Sequence, residues 1–411
     1  MIEVQSSKLN GEIIAPPSKS HAIRYLILSS LIEGKSSIRG IKFSSDISDA
    51  IELAKSSASV SMANGKIEVD SRKPFSFSEL NIKGSATVHR IAVALSSTFP
   101  GRKRIVAGFN LASRPIDPLL RSLARQGVNI SREKNAIIVD GMLDGTDFEI
   151  EGNVSSQYIT ALLFTSVPLQ REVRIKLTTD AVSRTYLDIT KNSLRNAGVK
   201  VESENQTIIA APAGLKPLNV TVPGDFALST FFAVMAARNG TSLKIGNLDP
   251  DTSGDSAIVD IIGSTGAVSK ISRGAWEVSK GPDPDPVNIS LADCPDLLPP
   301  VAALLSEARG VSEITGISHL RYKESDRIAE TVNLLKLFGV KSEYRENSLF
   351  IYGGKGHEFR YSSPEDHRMA MSAIALASTY GGIIEGEQCI SKSYPNFLDD
   401  FLRIGGKLVA S

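Results

Sequence analysis

The chain has 411 residues, more than one hydrophobic core accommodates, and its 46 Lys+Arg against 45 Asp+Glu leave a formal net charge of +1. With 42% hydrophobic and 22% charged residues it reads as an ordinary globular protein of two or more domains, which excludes collagen-like, disordered and disulfide-scaffold classes. So even a charge supplies no global field for nucleic acid or an anionic membrane, and any basic site must be a local cluster.

Met1 to Gln5 lacks the basic-then-apolar layout of a secretion signal. No stretch approaches the ~20 apolar residues of a spanning helix. Two cysteines, Cys294 and Cys389, form neither a disulfide framework nor a four-thiolate metal site and suit a reducing compartment, so a cytoplasmic protein is expected.

In chain order, the first chemical segment is Pro16 to Arg24, ahead of the apolar helix YLILSSLI. A serine opening a helix caps backbone N–H groups, and that end attracts anions; Lys19 and Arg24 add full positive charge there. A capped helix with solvated basic residues explains the segment equally well, and no Walker loop is present. Next, Lys83-Gly84-Ser85-Ala86-Thr87 forms a small-residue turn before a helix, a place where backbone N–H groups could approach a ligand closely. Ser113-Arg114-Pro115-Ile116-Asp117 follows, with Pro115 expected in a first helical turn and Arg114 just outside it. Gly152 to Tyr158 places Ser155, Ser156 and Gln157 at a helix start, suited to hydroxyl or phosphate ligands, or simply to capping.

The densest segment is Leu320 to Arg327, five charges and a tyrosine before the helix IAETVNLLKLF. On a helix Lys323 and Arg327 would share a face at i and i+4, repelling unless an anion sits between them. Glu324 and Asp326 offer carboxylates for acid–base work nearby. Glu365 to Met371 and Ser391 to Pro395 each set a basic residue beside an expected helix start. The recurring feature is a cation at a helix start: Lys19, Arg24, Arg114, Lys323, Arg327, Arg368 and Lys392. Such a set suits a small ligand carrying several negative charges.

A repeated unit runs beneath these motifs: amphipathic helix, glycine stop, strand, polar turn, strand. Copies end their helices at Gly127, Gly198, Gly266 and Gly339, spaced by 71, 68 and 73 residues. Weaker copies extend the period to Ser57-Ala58 and Gly405-Gly406. Six units in two lobes of three, with a cleft between, are expected. A junction is expected at Leu218 to Asp225 and a loop at Gly281 to Pro286, where alternate prolines forbid helix and central strand. Metal sites and a serine hydrolase find no support: His21, His89, His319, His357 and His367 show no ligand spacing, and GxSxG is absent.

PSKSHAIR, SRPID, GNVSSQYITALL, VSRTYLDIT, LRYKESDRI, EDHRMAM and KSYP, in this order, resemble the EPSP synthase family of 3-phosphoshikimate 1-carboxyvinyltransferases from Lys19 to Lys392. The resemblance implies the α/β, two-lobed enolpyruvyltransferase fold: six repeated βαβαββ units, three per lobe, an inside-out α/β barrel closing around its substrates. It places one lobe at 18–224 and the other at 1–17 plus 225–411. It implies transfer of the enolpyruvyl group of phosphoenolpyruvate to the 5-hydroxyl of shikimate 3-phosphate, without metal or cofactor, in a monomer with no nucleic-acid or membrane partner.

Residue by residue, the resemblance assigns shikimate 3-phosphate to Lys19, Ser20, Arg24, Ser155, Ser156, Gln157, Ser183, Tyr186, Asp296 and Lys323. It assigns phosphoenolpyruvate to Lys19, Ala86, Arg114, Gln157, Arg327, Arg368 and Lys392. Asp296 would accept the 5-hydroxyl proton, with Lys323 beside it, and Glu324 would protonate the phosphoenolpyruvate methylene carbon and later take a proton back. Lys19, Asp296 and Glu324 form the catalytic set.

The chain departs from the family pattern in three places. Gly84-Ser85-Ala86-Thr87 stands for Asn-Ala/Ser-Gly-Thr, Ser325 for Thr, and His319 where Asn is frequent. The UDP-N-acetylglucosamine enolpyruvyltransferases share fold and donor but lack the KESDR and EDHRMAM features. A non-catalytic binder of phosphorylated metabolites would not need Asp296 and Glu324.

Overall fold

The helix-ending glycines set the rhythm of the molecule. Gly127, Gly198, Gly266 and Gly339 have φ of 86°, 89°, 90° and 94°, left-handed values that let a helix stop and turn directly into a strand. A computed structural model describes the whole chain except Ser253, Asp283 and Ser411, so Asp283 of the expected 281–286 loop lies outside the described residues.

One repeat shows the pattern. Strand Glu79–Ile82 leads into a helix over Ala86–Ser96, then strand Arg102–Ala107, helix Asp117–Ala124, and the hairpin Asn129–Glu133 with Ala136–Asp140. The first two strands pair in parallel with Glu79 opposite Arg104, and the hairpin adds antiparallel beside the second. Among the described residues six four-stranded sheets repeat this arrangement, a parallel pair extended by two antiparallel strands, which form a hairpin in five of them and are the two chain ends in the sixth. Each repeat is therefore βαβαββ.

The chain divides into two units, 17–222 and 1–16 plus 223–411. The expected divisions stand at 17/18 and 224/225. Each unit holds three sheets and its own hydrophobic core. The two crossings exchange leading strands. Asn10–Ile14, which precedes the first repeat of the 17–222 unit, pairs in parallel with Ser242–Gly246 in the other unit. Asn219–Thr221 pairs instead with the Gly34–Arg39 strand. The amino-terminal strand Ile2–Gln5 completes the last sheet between Gly382–Glu385 and Lys407–Ala410.

Burial explains the layering. Helices Phe226–Asn239, Leu298–Leu305 and His367–Tyr380 are buried almost throughout and pack on one another, whereas strands alternate, as in Asp147 exposed, Phe148 buried, Glu149 exposed, Ile150 buried. Each unit is thus helices inside and sheets outside, the inside-out barrel. Fully burying a side chain such as Phe231 or Phe232 contributes ~1.5–3 kcal/mol. Apolar helices at the centre leave their polar first turns as the places where charge collects.

Candidate active site

In the 17–222 unit, helix α1 (Lys19–Leu31) begins at the first basic residue of the PSKSHAIR segment. Lys19 Nζ lies 2.8 Å from Asp46 Oδ2 on helix α2 (Ser45–Ala54). Ser18 occupies the cap position but makes no side-chain cap bond, contrary to the expectation of a serine-capped terminus. Arg24, one turn in, is 2% exposed. Its Nε donates to Thr190 Oγ1 at 2.8 Å, Nη1 to the Ser20 carbonyl at 2.8 Å and Nη2 to the Tyr186 carbonyl at 3.2 Å. Burial lowers its pKa to about 10, which leaves it charged at neutral pH. Those bonds use three of a guanidinium's five donors and tie α1 to the helix Arg184–Asn196.

Ser183, just before that helix, holds a left-handed φ of 55°, a costly conformation for a residue with a side chain. It is 3% exposed. Ser155 caps the helix Ser156–Phe164 by accepting from the Gln157 N–H at 3.3 Å, so its capping role is realised. Gln157 Nε2 then donates to Thr87 Oγ1 at 3.2 Å, joining this helix to α3 (Ala86–Ser96). Ala86 opens α3 and is buried.

The small-residue turn before Ala86 corrects the sequence reading. Its N–H groups at Lys83, Gly84 and Ser85 donate to one buried carboxylate, Asp49, at 3.0, 2.9 and 2.8 Å. They serve the protein's own anion. The SRPID segment differs as well: Pro118, not Pro115, sits in the first turn of helix Asp117–Ala124, because Ile116 takes the cap position. Pro115 instead offers its carbonyl to Tyr158 Oη at 2.7 Å and to Arg90 Nη2 at 2.9 Å. Arg114 beside it is partly buried.

In the other unit, a buried ion cluster joins three segments distant in sequence. Asp296 lies in the one-turn helix Pro295–Leu297. Its Oδ1 is 2.7 Å from Arg327 Nη1 and 3.7 Å from Lys323 Nζ, while Oδ2 is 2.6 Å from Arg368 Nη2. Glu324 Oε2 is 2.6 Å from Arg327 Nη2. The expected helical pairing of Lys323 with Arg327 is wrong. The helix starts only at Arg327, capped by Asp326, which accepts from Ile328 and Ala329. Lys323 is extended backbone following the turn Ser318–Tyr322. An anion does stand between the two cations, and it is Asp296.

Asp366 completes the cluster. It is fully buried, caps helix His367–Tyr380 through the Arg368 N–H at 2.9 Å, and accepts from Arg327 Nε at 2.8 Å and Ser325 Oγ at 3.1 Å. One carboxylate thereby fixes the side chain of Arg327 and the backbone of Arg368. Burial alone would depress the Arg327 guanidinium, but Asp366, Glu324 and Asp296 hold it well above its ordinary range. Burial likewise opposes ionisation of Asp366, and Arg327 overcomes it, keeping that carboxyl below its usual value. His319 is buried nearby, and burial with the Lys323 charge pushes it down to about 4, a neutral imidazole. Lys392 ends the turn Glu387–Lys392 rather than starting a helix, and its exposed ammonium lies 3.8 Å from Glu365 Oε2.

Of the cations expected at helix starts, Lys19, Arg327 and Arg368 stand within two residues of one; Arg24 lies in the second turn, and Arg114, Lys323 and Lys392 lie in connecting segments. Sequence reasoning missed Asp46, Asp49, Arg90 and Asp366. An aspartate directly before the apolar helix HRMAMSAIALAS is a cap signature that could have found Asp366. Asp46 and Asp49 look like ordinary solvated charges on an amphipathic helix.

The model of the family described as EPSP synthase (3-phosphoshikimate 1-carboxyvinyltransferase) matches residues 4–401. The 3-phosphoshikimate 1-carboxyvinyltransferase of Caldivirga maquilingensis is 33% identical over 412 residues, covering 99% of each chain. The enzyme of the same name from Korarchaeum cryptofilum is 34% identical over 419 residues, covering 98% of each. A solved structure of EPSP synthase from Acinetobacter baumannii superposes with a TM-score of 0.82 over 100% of this chain and 99% of that one, at 20% identity, a likeness of fold.

Proposed function

The chain belongs to the EPSP synthase (3-phosphoshikimate 1-carboxyvinyltransferase) family, and we propose that the residue sets described above divide the reaction's work between binding and proton transfer. The protein is a transferase of the shikimate pathway. It moves the enolpyruvyl group of phosphoenolpyruvate to the 5-hydroxyl of shikimate 3-phosphate, giving 5-enolpyruvylshikimate 3-phosphate and phosphate.

Lys19, Ser20, Arg24, Ser155, Ser156, Gln157, Ser183 and Tyr186 hold shikimate 3-phosphate, with Asp296 and Lys323 at its reacting hydroxyl. Lys19, Ala86 and Gln157 contact phosphoenolpyruvate, Arg114 and Lys392 hold its phosphate, and Arg327 and Arg368 receive its carboxylate. Phosphoenolpyruvate becomes electrophilic at C2 only once C3 is protonated, so Glu324 delivers that proton. Asp296 takes the proton of the 5-hydroxyl as the oxygen bonds to C2, giving a tetrahedral intermediate. Glu324 then removes a proton from C3, the C2–O bond to phosphate breaks, and the enol ether remains.

One observation carries this reading: both carboxylates needed for proton transfer lie within 2.7 Å of Arg327, and Asp296 also meets Arg368. Arginines suited to a substrate carboxylate and side chains suited to acid and base work thus stand together, with charge fixed in advance of the reaction. No helix among the described residues is long and apolar enough to cross a membrane. We read the protein as a cytoplasmic monomer, with small molecules and no nucleic acid as partners; light scattering in solution should give the mass of one chain. The function is tested by phosphate release from phosphoenolpyruvate. Release with shikimate 3-phosphate and none with UDP-N-acetylglucosamine is expected, and the reverse pattern would overturn the assignment.

A further inference from the structure

Two of the carboxylates on helix α2, Asp46 and Asp49, stand three residues apart on one helical face. Asp46 pairs with Lys19 at 2.8 Å. Asp49 is 3% exposed and accepts the consecutive N–H groups of Lys83, Gly84 and Ser85 at 3.0, 2.9 and 2.8 Å. Successive N–H groups converging before a helix form a concavity for an anion, and the positive end of α3 deepens it. Here the anion is built into the fold. Hydrogen bonds to an ionised acceptor are roughly twice as strong as neutral ones, so the turn is held firmly.

What the turn carries gives this hold a consequence. The next residue is Ala86, and Thr87 after it accepts from Gln157. From the same helix Arg90 donates to the carbonyls of Ala86 at 3.2 Å and Pro115 at 2.9 Å, the latter next to Arg114. Ala86, Gln157 and Arg114 are all residues read above as phosphoenolpyruvate contacts. A shift of the 83–85 peptides would move Ala86 directly and Arg114 through Arg90.

We propose that Asp49 is a positioning residue for phosphoenolpyruvate, holding the Lys83–Ser85 peptides so that Ala86, Thr87 and, through Arg90, Arg114 stand where the donor substrate binds. The proposal rests on the reading of those residues as its contacts. Arg24, Ser155 and Ser183, read as shikimate 3-phosphate contacts, lie on other segments, and Gln157, read as touching both substrates, is reached only through Thr87, so Asp49 acts mainly on the donor substrate.

The test is steady-state kinetics of Asp49→Asn. The amide turns an NH2 toward one of the peptide N–H donors and removes the negative charge, so at least one of three bonds is lost. The KM for phosphoenolpyruvate should rise about tenfold or more, with the KM for shikimate 3-phosphate within about twofold and kcat falling less than KM rises. A merely structural role would lower the unfolding temperature and leave both KM values of the folded enzyme unchanged, and that result overturns the proposal. So does an equal rise in both KM values. If Asp49→Asn does not fold, Asp49→Glu keeps the charge at a longer reach and is read by the same split. Arg114→Gln serves as the control for the underlying reading. If it raises the phosphoenolpyruvate KM while the Asp49 variant does not, only the positioning role fails; if neither changes it, the assignment of the donor to this site fails.

Discussion

Asp296 and Glu324 are separated by 28 positions in sequence yet meet the same guanidinium, and their roles differ by what else surrounds them. Asp296 is ringed by Arg327, Arg368 and Lys323. Glu324 is about a third exposed and makes a short contact to Arg327. Asp296→Asn and Glu324→Gln should each lower kcat by ~10²-fold or more, the usual contribution of a general acid or base. Isothermal titration should show substrate binding surviving better than turnover, and near-normal kcat in both variants would remove them from the mechanism. Ala86 makes a second prediction at this scale. By the family resemblance, the glycine that Ala86 replaces lines the phosphoenolpyruvate pocket, where the herbicide glyphosate also sits. If Ala86 contacts phosphoenolpyruvate as proposed, its buried methyl should obstruct the longer inhibitor more than the substrate, a specificity built on a clash. Glyphosate should inhibit the natural protein weakly and Ala86→Gly more strongly, with a lower phosphoenolpyruvate KM in the variant. Equal sensitivity would clear Ala86 of the role.

At the level of elements, most of the candidate residues stand at helix starts or in the turns before them, and within each unit a buried aspartate holds such pieces in register. Asp366 caps one helix while its second oxygen grips the first residue of another. Removing one partner of a buried ion pair leaves a desolvated charge, which costs ~3–5 kcal/mol. Asp366→Asn should approach the lower end of that range, because Asp296 and Glu324 still neutralise Arg327. Urea unfolding would measure the loss, and a rise in the phosphoenolpyruvate KM should accompany it. A variant as stable as the parent would show that the cap, rather than the charge, is what Asp366 supplies. The helix starting at Arg327 instead of before Lys323 follows from the same physics: Asp326 caps it while the upstream Ser325 hydroxyl is taken by Asp366, so Lys323 reaches Asp296 from an extended segment.

For the molecule as a whole, each unit carries a buried histidine that resists protonation, and this sets an acid limit on stability. His89 is held near a pKa of about 3 by burial and then by Arg90, Arg132 and Arg114; His319 is held near about 4. In the unfolded chain both take a proton near ~6.5. Below that pH the unfolded state binds protons that the fold refuses, so stability is complete above ~6.5 and declines until the folded pKa is reached, by ~1.4 kcal/mol per pH unit for each histidine. Neither ring nitrogen of His89 has a hydrogen-bond partner, so an apolar replacement orphans no partner group. The stability of His89→Leu relative to the parent should improve by about 2 kcal/mol between pH 7 and pH 5, with carboxylate titration cancelling in the comparison. An unchanged difference would acquit His89.

The sequence by itself determined the repeat, the fold class and the residue types of the site. Glycine stops at a fixed spacing require a left-handed residue wherever they occur, and alternating apolar residues require a sheet with one covered face, so both signals are local. Cations beside hydroxyls and carboxylates in one order are local too. Only the tertiary structure decided which charges neutralise one another. Asp49 meets the Lys83–Ser85 peptides across 34 to 36 positions, and Asp366 meets Arg327 across 39. The exchange of Asn10–Ile14 and Asn219–Thr221 between sheets likewise has no local signature, because a three- or five-residue strand pairs with whichever edge the completed barrel presents. Pairing of buried charge is settled by desolvation: a carboxylate drawn into the interior must find donors there, and which donors are within reach depends on the packing of helices far apart in the chain.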